Sequence, residues 1–131
     1  MTKFKISNAI ISVSDKTNLE LLIPYFAKNK ISIYSSGGTF KFLKNFKKKI
    51  TVHKISDYTK FPEFLDGRVK TLHPLIHGGI LADKNNKGHI KDLKKNGVVL
   101  FDLVVINLYR FDEIISESQN SENVCLEHID I

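Results

Sequence analysis

Short apolar runs that alternate with helical patterns, each run closed by a polar turn, constrain this chain more than any other feature. Asn8 to Val13 reads Asn-Ala-Ile-Ile-Ser-Val, the nearly continuous apolar character of a strand buried on both faces. Ser14-Asp15-Lys16-Thr17 breaks the run, and Leu19, Leu22, Ile23 and Phe26 then recur at helical spacing. Pro24 lies inside that pattern and either kinks the helix or delays its start. Ile31 to Ser35 predicts a second strand, Ser35-Ser36-Gly37-Gly38-Thr39 a glycine-rich turn, and Phe40, Leu43 and Lys44 a second helix. Strand, turn, helix, strand, turn, helix is a βαβα opening, the unit of a parallel sheet with right-handed crossovers. Ligands of such sheets bind beyond the carboxyl ends of the strands, which is where both polar turns fall.

Further along, Thr51 to Ile55 predicts a third, weaker strand, and Phe61 to Leu65, opened by Pro62-Glu63, a single helical turn. Ile76 to Leu81 reads as a short buried stretch, residues 83–88 as a polar turn, and 89–96 as an exposed helix ended by Asn96-Gly97. Phe101 to Leu108 is the strongest strand pattern and is expected at the centre of the sheet, delivering Asn107 and Tyr109 to a carboxyl end. Glu122 to Glu127 predicts a last helix. No repeat or linker divides the 131 residues, which suit one domain.

The segment from Asp66 to Gly79 holds two cations, three glycines, two histidines and a proline, and it reads as an ordered loop presenting polar groups. The chain has 18 lysines and 2 arginines, one of which is Arg68; a planar fork of donors there suits phosphate or carboxylate recognition. Ser36 to Thr39, between a strand and a helix, is either a phosphate cradle built from backbone N–H groups and hydroxyls or only a tight connection. Ser14 and Lys16 add a hydroxyl and a cation at the neighbouring strand end, while Asp15 suits the cap of the following helix. His73 and His77 have a spacing that metal sites use, but Pro74 and the glycines argue against a helix there, and no partner completes a ligand set. No metal is expected. Tyr109 and Asp130 form a proton relay only if the fold joins them.

Composition narrows the class. The formal charge of +6 suits nucleic acid or small phosphorylated metabolites. The one dense basic cluster, Lys41, Lys44, Lys47, Lys48 and Lys49, lacks interleaved stacking aromatics and reads as a solvated helix face, so no nucleic-acid partner is expected. No apolar run approaches a membrane span, and Met1 to Lys5 is not followed by the apolar block of a secretory signal. With Cys125 as the single cysteine, no internal disulfide forms, and a reducing cytoplasm is the simplest compartment.

Several motifs occur together and in order. They are Ser12-Val13-Ser14-Asp15-Lys16, Ser36-Gly37-Gly38-Thr39, Ser56-Asp57-Tyr58-Thr59 with Phe61-Pro62-Glu63, Asp66 through Pro74, His77-Gly78-Gly79-Ile80-Leu81, Asn107-Leu108-Tyr109 and Ile129-Asp130-Ile131. The set resembles the amino-terminal IMP cyclohydrolase domain of the bifunctional purine-biosynthesis family, whose other domain is AICAR transformylase. The resemblance implies an α/β fold, a three-layer α/β/α sandwich with a mainly parallel sheet of the methylglyoxal-synthase-like type. It implies closure of formyl-AICAR to IMP with loss of water, without cofactor, and a homodimer in full-length members. By position, Lys70, Tyr109 and Asp130 are the implied catalytic group. Ser14, Asp15, Lys16, Ser36, Gly37, Gly38, Thr39, Arg68, Val69, Thr71 and Asn107 are the implied nucleotide-binding set.

Two departures accompany the resemblance. Arg110 stands where the family has proline, and residues 1–131 stop before a Gly-Gly segment and a lysine used in proton transfer. The expectation is a single cyclohydrolase-like domain, incomplete at its carboxyl end, without the transformylase domain and with impaired turnover. The alternative is a non-catalytic nucleotide- or phosphometabolite-binding module of the same fold.

Overall fold

A computed structural model describes residues 5–117 and 122–128. Its centre is a sheet of four parallel strands, β1 (Asn8–Val13), β2 (Ser32–Ser35), β3 (Thr51–Lys54) and β4 (Leu103–Asn107), in the order β3-β2-β1-β4. Ala9 is in register with Ile33 on one side and Leu103 on the other. The helices are α1 (Ile23–Asn29), α2 (Gly37–Lys44), α3 (Ile55–Thr59), α4 (Pro74–Leu81), α5 (Lys87–Lys95), α6 (Phe111–Ser116) and α7 (Glu122–Glu127).

The period-two alternation of a strand sends successive side chains of β1 into different layers. Ala9, Ile11 and Val13, with Ile33 of β2, pack on Ile23 and Phe26 of α1 and Leu43 of α2. Ile10 points the other way and joins Ile55 of α3, Ile76 of α4 and Phe101. Both faces of β1 are therefore dry, with helices above and below, which gives the three expected layers. Phe26, Ile11 and Ile33 are fully buried, each stabilising by about 1.5–3 kcal/mol. Pro24 does delay its helix: a 3₁₀ turn over Leu19–Leu22 comes first, and the proline sits in the opening turn of α1, where its missing N–H is harmless.

Three expectations need correction. Residues 61–65 are not helical. The helix comes earlier, as α3, directly off β3, and Lys60 ends it in the left-handed region at φ 58°. The Thr59 hydroxyl donates to the Ile55 carbonyl and accepts from the Phe61 N–H, after which Phe64 and Val69 exchange backbone hydrogen bonds across a tight hairpin. Secondly, the stretch after His73 is a helix. Pro74 opens it rather than breaking it, and the His73 ring Nδ1 caps it by accepting from the Leu75 N–H at 3.2 Å. Thirdly, β4 is at an edge of the sheet among the described residues, with Val104 and Ile106 exposed. An apolar run records the preference for burial, not the position in a sheet.

Candidate functional site

Three of the four strands deliver polar residues to one rim. Ser14, Asp15 and Lys16 follow β1, Ser36 follows β2, and Asn107 ends β4. Asn107 ties two of these ends together. Its Oδ1 accepts from the Ser14 N–H at 2.7 Å, the Ser14 hydroxyl at 3.2 Å and the Asp15 N–H at 3.1 Å, while its Nδ2 donates to the Asp15 carbonyl at 2.7 Å. Asn107, expected beside the base of a nucleotide, here engages both polar side-chain atoms with the β1 loop. Thr39 is a second tie. Its hydroxyl donates to the Val13 carbonyl at 2.9 Å and accepts from the Val13 N–H at 3.1 Å, pinning the first turn of α2 to the end of β1.

Asp15 is not the cap of a helix. Its Oδ1 accepts from the hydroxyl and the N–H of Thr17 at 2.6 and 2.8 Å, a side-chain turn that steers the loop away from β1. Those bonds, with Lys16 and Arg110 nearby, hold the Asp15 carboxyl below its ordinary range. Asn18 follows in the left-handed region at φ 62° and precedes the 3₁₀ turn.

The amino end of α2 is the chemical focus. Ser36 is buried, and its hydroxyl has no hydrogen-bond partner and does not cap the helix. Gly37 has φ +53°, open to glycine at no cost. Lys16 reaches this turn from the β1 loop: its ammonium donates to the Ser14 carbonyl at 3.0 Å, and a Cβ placed on Gly38 would lie 3.5 Å from the Lys16 Nζ. Lys70 arrives from the opposite loop. A Cβ on Gly37 would lie 3.2 Å from the Lys70 Cε, and the Lys70 ammonium bonds the Gly67 carbonyl. A side chain at 37 would be strained by the positive φ and would press on the end of the lysine that the 66–70 loop lays across the helix end.

The structure therefore brings Ser14, Lys16, Ser36, Gly37, Gly38, Thr39 and Lys70 together. Arg68 is exposed two residues before Lys70, Val69 is held through its backbone pairing with Phe64, and Thr71 is half-buried. Tyr109 follows β4, partly exposed, with its ring edge-on to His128 at 5.1 Å. Asp130 lies outside the described residues. Glu63 was not anticipated: its Oε1 accepts from the Gly37 N–H at 3.0 Å, a long-range contact with no local sequence signal. The capping role of His73 was not anticipated, although a histidine directly before a helix-opening proline is readable as a cap.

On the opposite layer, Tyr34 stacks on His53 and meets Tyr58 and Phe101 edge-on. Burial, with Tyr58 beside it, pushes the Tyr34 phenol up. Among the described residues no helix is long and apolar enough to cross a membrane.

A profile of the MGS-like domain matches residues 19–131. The chain belongs to the MGS-like domain family. Over 123 residues this MGS-like domain is 46% identical to the bifunctional purine biosynthesis protein PurH of Macrococcus caseolyticus, covering 94% of this chain and 25% of that protein. It is 49% identical to PurH of Clostridium perfringens strain SM101, covering 94% and 24%, and 44% identical to PurH of Bacillus subtilis strain 168, covering 96% and 24%. The match falls in the amino-terminal region of these proteins, and the chain spans about a quarter of their length. A solved structure described as "Crystal structure of ForH" superposes with a TM-score of 0.67 at 32% identity, covering 79% of this chain and 51% of that one.

Proposed function

We propose that this MGS-like domain is an IMP cyclohydrolase unit, closing the second purine ring of formyl-AICAR to give IMP. The observation that carries the reading is the meeting of Lys16 and Lys70, from two different loops, on the first turn of α2 above the unpartnered Ser36 hydroxyl. Cations at the positive end of a helix are unfavourable unless an anion joins them. A nucleotide 5′-phosphate supplies that anion, accepting from the α2 N–H groups, the Ser36 hydroxyl and the Lys16 ammonium.

With the phosphate so held, the reacting groups extend toward the 66–71 loop. The carboxamide nitrogen attacks the formyl carbon, a C–N bond forms, the C–O bond breaks, and the formyl oxygen leaves as water with one proton from the carboxamide and one from the formamide nitrogen. In this scheme Lys70 exchanges the Gly67 carbonyl for the developing negative charge on the formyl oxygen. Tyr109 and Asp130 orient the amide and carry its proton. An amide nitrogen is a poor nucleophile, so positioning supplies much of the acceleration.

The test is the purified chain with formyl-AICAR, following IMP. Turnover that vanishes in Lys70→Ala, with IMP binding kept within a few-fold, supports the reading. Unaltered turnover in that variant removes Lys70 from the chemistry. IMP binding by calorimetry without turnover in the parent chain favours the non-catalytic nucleotide-binding module instead.

A further inference from the structure

The seat proposed for the phosphate already holds a carboxylate. Glu63 reaches from the loop after α3 to the amino end of α2, where its Oε1 accepts from the Gly37 N–H at 3.0 Å. The same N–H is a donor that an incoming anion needs. Lys70 lies across Gly37 as well, so Glu63 places its negative charge at the helix end on the same residue that this cation covers. It does for the unliganded site what a phosphate oxygen does for the liganded one. Glu63 also lines a cleft of about 510 Å³ together with Lys54 and Lys60, which offers a displaced carboxylate a second cationic resting place.

The loop that carries Glu63 is flanked by residues with positive φ. Lys60 stands before it in the left-handed region, and Leu65, Asp66 and Gly67 follow in that same region at φ 53°, 55° and 83°. Non-glycine residues keep such angles only while their surroundings impose them. The Phe64–Val69 pairing, the bonds from the Gly67 N–H to the Phe64 carbonyl and from the Arg68 N–H to the Leu65 carbonyl, and the Phe61–Phe64 ring contact impose them, and the Glu63–Gly37 bond ties the loop to α2. Exchange of Glu63 therefore gives up the Gly37 bond and leaves the hairpin that carries Arg68 and Lys70 intact.

We infer that Glu63 is an internal competitor for the anion seat, exchanged for the ligand's phosphate on binding, which lowers the site's affinity for phosphorylated ligands and leaves that for nucleosides unchanged. The inference rests on the proposed nucleotide site. A dianionic phosphate, with three acceptor oxygens, outcompetes one tethered carboxylate, whereas a nucleoside without phosphate has nothing to exchange. Glu63 thereby sets how strongly an anion must bind to take the seat.

The experiment measures binding of inorganic phosphate, IMP and inosine to the chain and to its Glu63→Ala and Glu63→Gln variants. Calorimetry gives the affinities, and the backbone amide resonance of Gly37 reports occupancy of the seat. Phosphate and IMP should bind roughly five- to thirty-fold more tightly to both variants, with inosine unchanged. Gln keeps the length and a carbonyl acceptor but not the charge, so it answers the question if Glu63→Ala fails to fold. IMP binding that shifts Gly37 equally in all proteins, or more weakly in the variants, overturns this inference and leaves the proposed function standing. An inosine gain equal to the IMP gain overturns the competition, because inosine brings no phosphate to the seat. If phosphate and IMP leave Gly37 untouched in every protein, the inference and the proposed function fall together.

Discussion

The Phe101 N–H donates to the Gly79 carbonyl at 2.9 Å, fastening α4 to the approach of β4 backbone against backbone. The contact is so close that a Cβ on Gly79 would lie 2.1 Å from the Val99 carbonyl oxygen and 2.8 Å from the Phe101 ring. The absence of a side chain at 79 is what lets the second layer sit on the sheet.

Gly79→Ala should therefore destabilise the chain by about 3 kcal/mol, because the colliding atom is backbone and cannot rotate away. Gly78→Ala is the control. Its Cβ would find only Val98 Cγ1 at 3.7 Å, and the helical alanine should stabilise by up to about 1 kcal/mol. Urea unfolding of the two variants reads the contrast, and equal losses would contradict it.

Thr39→Val should cost about 1–3 kcal/mol. The substitution keeps the shape but leaves the buried Val13 N–H and carbonyl without the hydroxyl that serves both. Thr39→Ser should recover most of the loss. Failure of serine to rescue would show that the methyl group matters more than the two hydrogen bonds.

Asn107→Ala should accelerate hydrogen exchange at the Ser14 and Asp15 amides, both of which donate to Asn107. IMP affinity should fall roughly tenfold, equivalent to about 1.4 kcal/mol, as Lys16 loses its fixed loop. Lost affinity with unchanged exchange would mean that Asn107 touches the nucleotide directly.

Acid stability should carry a contribution from Asp15. Its carboxyl lies below the ordinary value of 3.8 in the folded chain, first through the Thr17 hydroxyl and then through the Thr17 N–H. The folded state thus binds the proton more weakly than the unfolded state does. The stabilisation is complete above the unfolded value and disappears as pH falls through the folded one. An NMR titration should place the Asp15 midpoint below 3.8 and move it upward in Thr17→Ala. An unmoved midpoint would assign the shift to Lys16 and Arg110 instead.

The βαβα opening is legible because its signals are local: apolar runs, helical spacing and polar turns all lie within a few residues of one another. The glycine-rich turn from Ser36 to Thr39 is legible for the same reason, and it opens α2 as its position between a strand and a helix suggests. What escapes is whatever depends on distant partners. Nothing near Glu63 announces Gly37, and nothing near Thr39 announces Val13. Pro74 and Gly79 resemble helix breakers until the first is seen at the opening turn and the second against Val99. The run from Phe101 to Leu108 looks central because β-branched residues favour any strand, and only the strand order shows β4 at the edge.

That strand order also governs how the chain is made. β1 meets β2 soon after synthesis, since Asn8 pairs with Ser32, but its other neighbour, starting at Leu103, comes more than ninety positions later. At about 5–20 residues per second, a nascent chain waits roughly 5–20 s with the Ala9-to-Val13 side of its hydrogen-bonding ladder bare. Substitutions in β4 should therefore reduce the yield of soluble product in cells more than they lower the melting temperature of the molecules that survive.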